Sequence, residues 1–350
     1  MNLDILKFLG GLGQQGRVAQ FVGGCVRSYL LNQSYDDIDI AITGHILDLM
    51  HELTKSGIKT IPTGVRFGSI SAFLDGQWVE ITALRGEEYT GTRFPKTTNI
   101  NSFYEDAKRR DFTINAMYMD KSGHVTDYFG GESDLHNHIV RFIGDPIQRI
   151  QDDPLRILRF FRFLKVIDAD ISHLIHQNHI RMMVCHKHLL KTLSKERISK
   201  EILKLLSIQK DIHDVIATMI HDGFDEALNV KMKKTSHSSM ELCVRLHEMV
   251  MDLNDLMMPK TIRHWVQKLD KWKDEKNLYF VFYKEGDEFF RIFKDFNSID
   301  VNFEKKECPV NGYDVMSMGY TGKQIKEVLE KIQYDWCQEQ FKCPPLLIAP

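Results

Sequence analysis

The chain has 350 residues, more than one hydrophobic core ordinarily serves, so two or more domains are expected. Hydrophobic residues make up 43% and charged residues 27%, a globular composition that excludes a disordered or fibrous chain. The formal net charge of -2 does not announce a nucleic-acid partner, and no apolar run approaches the ~20 residues of a membrane span.

Residues 1 to 140 mix short β-like runs with turns. Ile38 to Thr43 and Trp78 to Leu84 have strand content, and Ile114 to Asp120 has it more weakly. Glycines at 23–24, 64, 68, 123 and 130–131 punctuate these runs. Beyond about 145 the period changes. Leu155, Leu158, Phe161, Arg162 and Leu164 recur at helical spacing, as do Ile198, Ile202, Leu205 and Leu206. Cys308 to Gly312 marks a break before a last helix near 322 to 336. Lys268 to Lys276 is charged and expected at the surface. Locally, 141–206 holds 13 Lys/Arg against 7 Asp/Glu, which suits either a solvated helical face or a polyanion partner. The six scattered cysteines form no CxxC pair, so reduced thiols are expected rather than a zinc site. The first ten residues resemble neither a signal nor a transit peptide, so a cytoplasmic protein is expected.

Asp37 and Asp39 stand at i and i+2 in Asp-Ile-Asp-Ile-Ala-Ile, which on a strand puts both carboxylates on one face. Two parallel carboxylates repel, and hard cations such as Mg²⁺ neutralise them; a polar strand edge is the plain alternative. Upstream, Phe21-Val22-Gly23-Gly24-Cys25-Val26-Arg27 reads as strand, tight turn and helix, a backbone that approaches phosphates closely. Glu80 supplies a third acid on a candidate strand that can pair beside the first.

Gly23-Gly24-x-Val26-Arg27 followed by Asp37-Ile38-Asp39 resembles the signature of polymerase-β-type nucleotidyltransferases, and most of all the class II CCA-adding enzymes and their poly(A) polymerase relatives. Further matches follow in order: Arg66 to Ser69, Glu80 to Arg85, Arg109 to Met117, Asp127 to Gly131, Gly144 to Pro146, Asp152 to Arg156, Ser194 to Ile198 and Pro309 to Asp314. Three positions depart from the pattern: Ser28 stands for Asp, Ser69 for Thr and Asp152 for Glu. The resemblance implies an α+β fold. A polymerase-β-type nucleotidyltransferase head with a small mixed sheet spans 1–140. An all-helical remainder follows, as neck (141–206), body (207–307) and tRNA-binding tail (308–350).

The same resemblance implies a CCA tRNA nucleotidyltransferase working without a nucleic-acid template. Asp37 and Asp39 would hold Mg²⁺ and Glu80 would assist. Gly23, Gly24 and Arg27 would line the nucleotide, with Arg110 and Asp111 at its phosphate and sugar. Asn115 is read as ordering the turn. Asp153 and Arg156, taken as i and i+3 on one helix, would choose the base. An ionised Asp only accepts and Arg only donates, which suits the amine and ring nitrogen of cytosine and adenine and mismatches guanine and uracil. Residues 86 to 100 would form a flexible loop serving the change from C to A. The expected partners are CTP, ATP and the tRNA acceptor arm, with no membrane. The competing readings are a poly(A) polymerase or A-adding enzyme, a His-Asp phosphohydrolase suggested only by His221-Asp222, and a non-catalytic RNA-binding protein.

Overall fold

The structure is a computed structural model, and it describes residues 8–9, 11–12, 16–35, 37–88, 96–233, 242–250, 252–272, 281, 284, 308, 310–317 and 319–338. The chain divides into two compact units. The first comprises residues 1–194 with 222–228, and the second 195–221 with 229–350.

In the first unit the elements run β1 (Ala19–Val22), α1 (Gly24–Leu30), β2 (Ile38–Ile42), α2 (Ile46–Lys55), β3 (Thr60–Gly64), β4 (Ser69–Leu74), β5 (Gln77–Ala83), β6 (Arg85–Glu88) and β7 (Lys96–Asn99). They continue through α3 (Phe103–Lys108), β8 (Met117–Met119), β9 (Val125–Asp127), α4 (Gly131–His136), α5 (Pro146–Asp152), α6 (Leu155–Val166) and α7 (Leu174–His186). The second unit holds α8 (Lys195–Leu206) and α9 (His213–His221); α10 (Phe224–Leu228) returns to the first. Then come α11 (Leu242–Met249), α12 (Lys260–Trp272), α13 (Gly312–Ser317) and α14 (Lys323–Gln338), all in the second unit.

Seven strands form one mixed sheet in the order β3-β4-β5-β2-β1-β8-β9. β2 and β5 are parallel and every other neighbouring pair is antiparallel. This is the small mixed sheet expected for the head. Alternation sets its faces: on β5, Val79, Ile81 and Ala83 are buried while Trp78 and Glu80 are exposed. The β4–β5 hairpin turns at Asp75-Gly76, both at positive φ (50° and 76°), the pairing of residue types that a two-residue turn of this hand selects.

Three expectations change here. Residues 86–88 and 96–99, within the 86–100 segment assigned to a flexible loop, pair in a two-stranded ribbon, β6 with β7; residues 89–95 lie outside the described set. Asp153 does not share a helix with Arg156. It sits between α5 and α6 with extended backbone (φ -150°, ψ 101°), because Pro154 disfavours a helical residue before it. The charged run from Lys268 is not all surface: Leu269 and Trp272 are buried, since α12 is amphipathic and turns them inward. Residues 273–276 lie outside the described set.

Local signals account for the helix starts. Ser102 caps α3 by accepting from Glu105 N (3.3 Å), and Asp145 caps α5 by accepting from Ile147 N (3.1 Å), with Pro146 at the first helical position. α6 is buried almost all round, and Phe160, Phe161 and Leu164 are fully inside. In the second unit, Arg245 is buried and donates to the carbonyls of Leu206, Ile208 and Lys210, which ties off the end of α8. Ser199 there accepts from Met257 N (2.7 Å).

Gly131 opens α4 where no side chain fits. A Cβ would stand 2.2 Å from the carbonyl oxygen of Thr113, a backbone atom that cannot swing aside. Gly131→Ala is therefore expected to destabilise the first unit by about 1–3 kcal/mol, the usual cost of overpacking. Urea denaturation checks this, and an unchanged midpoint would show that the Thr113 turn yields.

Candidate active site

Asp39 on β2 pairs in register with Glu80 on β5, so the two carboxylates leave the same face of the sheet from neighbouring strands. Asp37 lies two positions before Asp39, just ahead of the strand, and is exposed. Gly23 follows β1 at φ 74°; a Cβ there would sit 3.9 Å from Asp39 Oδ2, 3.6 Å from Arg110 Nη1 and 3.9 Å from the Asn115 carbonyl. The turn, Asp39 and Arg110 thus meet at one point, and glycine keeps it open. Cys25 fastens this corner, its thiol donating to Val22 O (3.3 Å) and Asp39 O (3.7 Å). Burial pushes that thiol's pKa up.

The donor set fits a hard cation. It consists of carboxylate oxygens, with Gly23 leaving room beside Asp39. Among the described residues no group of three His, Cys, Asp or Glu is gathered closely enough to hold a metal unaided.

Arg110 is braced by Asp106 and not by Asp111. It donates to Asp106 Oδ2 (3.0 and 3.2 Å) and Tyr118 Oη (3.2 Å), while Tyr118 donates to Asp106 (2.6 Å). Arg109 takes the other oxygen of Asp106 (2.7 Å). Burial would raise the Asp106 pKa, but Arg110 and Arg109, helped by Tyr118, hold it at about 2. Asp111 accepts from Arg159 Nε (2.7 Å), Asn115 Nδ2 (3.0 Å) and Phe112 N (2.8 Å). Burial works against its charge too, and Arg159 with Asn115 brings its pKa to about 2. Asn115 accepts from Arg27 while donating to Asp111, so it links two site residues and orders the turn between them.

Arg159 and Arg162 were not among the residues expected from the sequence. With Arg27 they surround one ring: their guanidinium carbons lie 5.2, 4.2 and 5.0 Å from the Phe163 centroid. Burial first, then the nearby Arg162 and Arg159, lowers the Arg27 pKa to about 10, and its Nε is buried without a partner. The missed signal was legible: Arg156, Arg159 and Arg162 recur every third residue along α6.

Arg156 is buried and donates to Arg149 O (2.9 Å) and Arg109 O (3.1 Å). Arg149 in turn donates to Arg110 O (2.7 Å) and to Asp152 (3.1 Å). These bonds join the segment around Arg109 to the segment around Asp153, which accepts from Leu155 N (3.1 Å). Ser69, the departure from Thr, keeps its hydroxyl in use, 2.8 Å from that of Thr82.

Asp106 and Asp111 bind protons less readily folded than unfolded. Their contribution to stability is complete above the ordinary value of 3.8 and is lost as the pH falls toward 2. On the order of 2 kcal/mol apiece is at stake. The urea midpoint is expected to fall steeply below about pH 4, and Asp106→Asn to flatten that fall. A variant with the wild-type pH profile would place the titration elsewhere.

Residues 19–141 match the family model described as the poly A polymerase head domain. The CCA-adding enzyme of Lactobacillus helveticus is 38% identical over 205 residues, 58% of this chain and 49% of that one. The match thus spans about half the length of that relative. The CCA-adding enzyme of Ligilactobacillus salivarius is 30% identical over an alignment of 372 positions, covering 94% of this chain and 90% of its own. The fold is that of the Bacillus stearothermophilus CCA-adding enzyme solved with CTP (TM-score 0.70, 23% identity, 97% of this chain and 98% of that one). It is also that of the Thermotoga maritima enzyme solved with tRNA (TM-score 0.63, 22% identity, 96% and 91%). With its nucleotidyltransferase head and a full-length relative at 30% identity, the chain belongs to the family of CCA-adding enzymes.

Proposed function

We propose that the protein adds C and A residues to the 3′ end of tRNA from CTP and ATP, without a nucleic-acid template. The observation that carries this reading is the meeting of Asp39 and Glu80 in register beside the Gly23 turn, with Arg110 against that turn. The tRNA 3′ hydroxyl oxygen attacks the α-phosphorus in line as its proton passes to solvent; the bond to the bridging oxygen breaks and pyrophosphate leaves with that electron pair. Mg²⁺ held by Asp37 and Asp39 would supply charge neutralisation at the oxygens. Glu80, beside Asp39, orients the attacking end. Gly23, Gly24 and Arg27 take the phosphates, with Arg159 and Arg162 completing a cationic seat around Phe163. Arg110 reaches phosphate while Asp106 keeps its guanidinium in place, and Asp111 faces the ribose.

Asp153 and Arg156 select the base. The bonds from Arg156 to the Arg149 and Arg109 carbonyls hold it in position, and its pairing with a base edge exchanges one of them. Residues 1–140 act as head, 141–206 as neck, 207–307 as body and 308–350 as tail, the helical parts holding the acceptor arm through its phosphates. The protein works in the cytoplasm; among the described residues no helix is long and apolar enough to cross a membrane.

The test supplies tRNAs ending before, within and after CC with single nucleotides. CTP is expected to extend the first and ATP the one ending in CC. Growth of a long A tail, or refusal of CTP, would favour a poly(A) polymerase or an A-adding enzyme. Folded Asp39→Ala is expected to lose incorporation, and near-normal activity would overturn the assignment of the carboxylates. Asp153→Ala is expected to lower discrimination against UTP and GTP by about 1–3 kcal/mol. Full rate with full preference would make Asp153 a helix-junction residue only.

A further inference from the structure

The open face of the sheet does not end at the carboxylates. β4 and β5 pair Phe73 with Trp78 and Ser71 with Glu80, while β5 and β2 pair Glu80 with Asp39. Register partners share a face, so Phe73, Ser71, Trp78, Glu80 and Asp39 point the same way. Continuing the β2–β5 register by one step sets Asp37 level with Trp78. Lys59 is opposite Phe73, its carbonyl accepting from Phe73 N (2.8 Å). One row across the sheet therefore reads Lys59, Phe73, Trp78, Asp37, and the next holds Ser71, Glu80 and Asp39.

Both rings of that row are partly exposed. Trp78 is 40% exposed and Phe73 41%, although large aromatics ordinarily bury their faces. They pack edge to face with centroids 5.2 Å apart, and Lys59 Nζ lies 5.7 Å from the Trp78 ring centroid. The Gly23 turn follows β1 on the other side of β2, next to Arg110. The proposed phosphate side and the aromatic row therefore flank the carboxylates from opposite sides.

We infer that Trp78 and Phe73 form a stacking platform for the unpaired ribonucleotides at the 3′ end of the RNA, with Lys59 meeting a backbone phosphate. The inference rests on the nucleotidyltransferase reading and adds to it the surface that holds the attacking strand. Two observations select this occupant. The row runs into Asp37, so a base on Trp78 lies about one strand spacing, ~4.8 Å, and one on Phe73 about two, from the line of the proposed reaction centre. The row also pairs aromatic faces with a cation, the combination that single-stranded nucleic acid selects because every base has a π-face and every link a negative charge. Stacking of this kind reads no base identity, which suits a platform whose occupant changes after each addition.

The experiment measures steady-state incorporation of CTP into tRNA lacking its terminal CCA, with wild type, Trp78→Ala, Trp78→Phe and Phe73→Ala. Trp78→Ala is expected to raise KM for the RNA about 5- to 100-fold, the range of one lost base–aromatic stack, and to leave KM for CTP unchanged. Trp78→Phe is expected to recover most of the loss. In parallel, a short single-stranded oligoribonucleotide with a free 3′ hydroxyl, and no nucleotide present, is titrated against intrinsic fluorescence. Quenching is expected in the wild type and a smaller response in Trp78→Ala. An active wild type with unchanged RNA KM in Trp78→Ala would overturn the platform alone, leaving the rings as a cross-strand packing pair. A rise in both KM values to the same degree would assign Trp78 to sheet stability instead. A wild type that extends no tRNA but still shows quenching lost in Trp78→Ala would overturn the nucleotidyltransferase reading and keep the surface.

Discussion

Two carboxylates on adjacent parallel strands repel each other, and the architecture keeps them together all the same. Asp39 and Glu80 are level on β2 and β5, the one parallel pairing in the seven-stranded sheet. Neighbouring strands are about 4.8 Å apart, a separation at which like charges destabilise the fold unless something answers them. Parallel pairing requires a crossover, and here the chain between β2 and β5 supplies α2 and the β3–β4 hairpin. Other residues of the candidate site are arranged around this pair. Gly23 leaves space, Cys25 pins the turn to β2, and Arg110 brings positive charge to the edge of the turn.

A second constraint concerns arginine. Six arginines, 27, 109, 110, 149, 156 and 159, are engaged by Asp106, Asp111, Asn115, Asp152 or main-chain carbonyls. Taking such charges out of water is costly, and partnered networks of this kind add conformational specificity more than net stability. Their geometry shows what they specify. Arg149 holds the carbonyls of Arg109 and Arg110 against α5, Arg156 holds that of Arg109 against the start of α6, and Arg159 locks Asp111 to the middle of α6. The Arg109–Asp111 segment, whose Arg110 borders the Gly23 turn, and the helix of arginines are thereby held together within the first unit. Arg162 and the buried Nε of Arg27 extend the cationic surface around Phe163.

The sequence disclosed much of this because the informative residues are close in sequence. Asp37 and Asp39 with their alternating isoleucines, the Gly23-Gly24 turn and the strand from Trp78 to Leu84 are each local patterns, and the strands form within a residue or two of the expected bounds. What it did not disclose depends on partners distant in the chain. The bracing of Arg110 by Asp106 and Tyr118, and of Asp111 by Arg159, depends on how the chain folds back on itself, so the sequence offered the two residues without their supports. Asp153 and Arg156 seemed to share a helix because their spacing is helical, and Pro154 broke that reading. The β6–β7 ribbon was missed, and so was the β4 strand, although Asp75-Gly76 is a strong signal for the β4–β5 hairpin. Ser69 to Leu74 alternates weakly, and only the pairing with β5 makes it a strand.

Everything proposed for the site depends on the Asp39 face binding nucleotide together with a cation. The most direct measurement is CTP binding by calorimetry, with and without Mg²⁺, for wild type and for Asp39→Asn, a nearly isosteric change that removes one charge. Wild-type affinity is expected to rise at least about tenfold with Mg²⁺, equivalent to about 1.4 kcal/mol, while the variant shows no such gain. An equal Mg²⁺ enhancement in both proteins would contradict the account and move the cation away from Asp39.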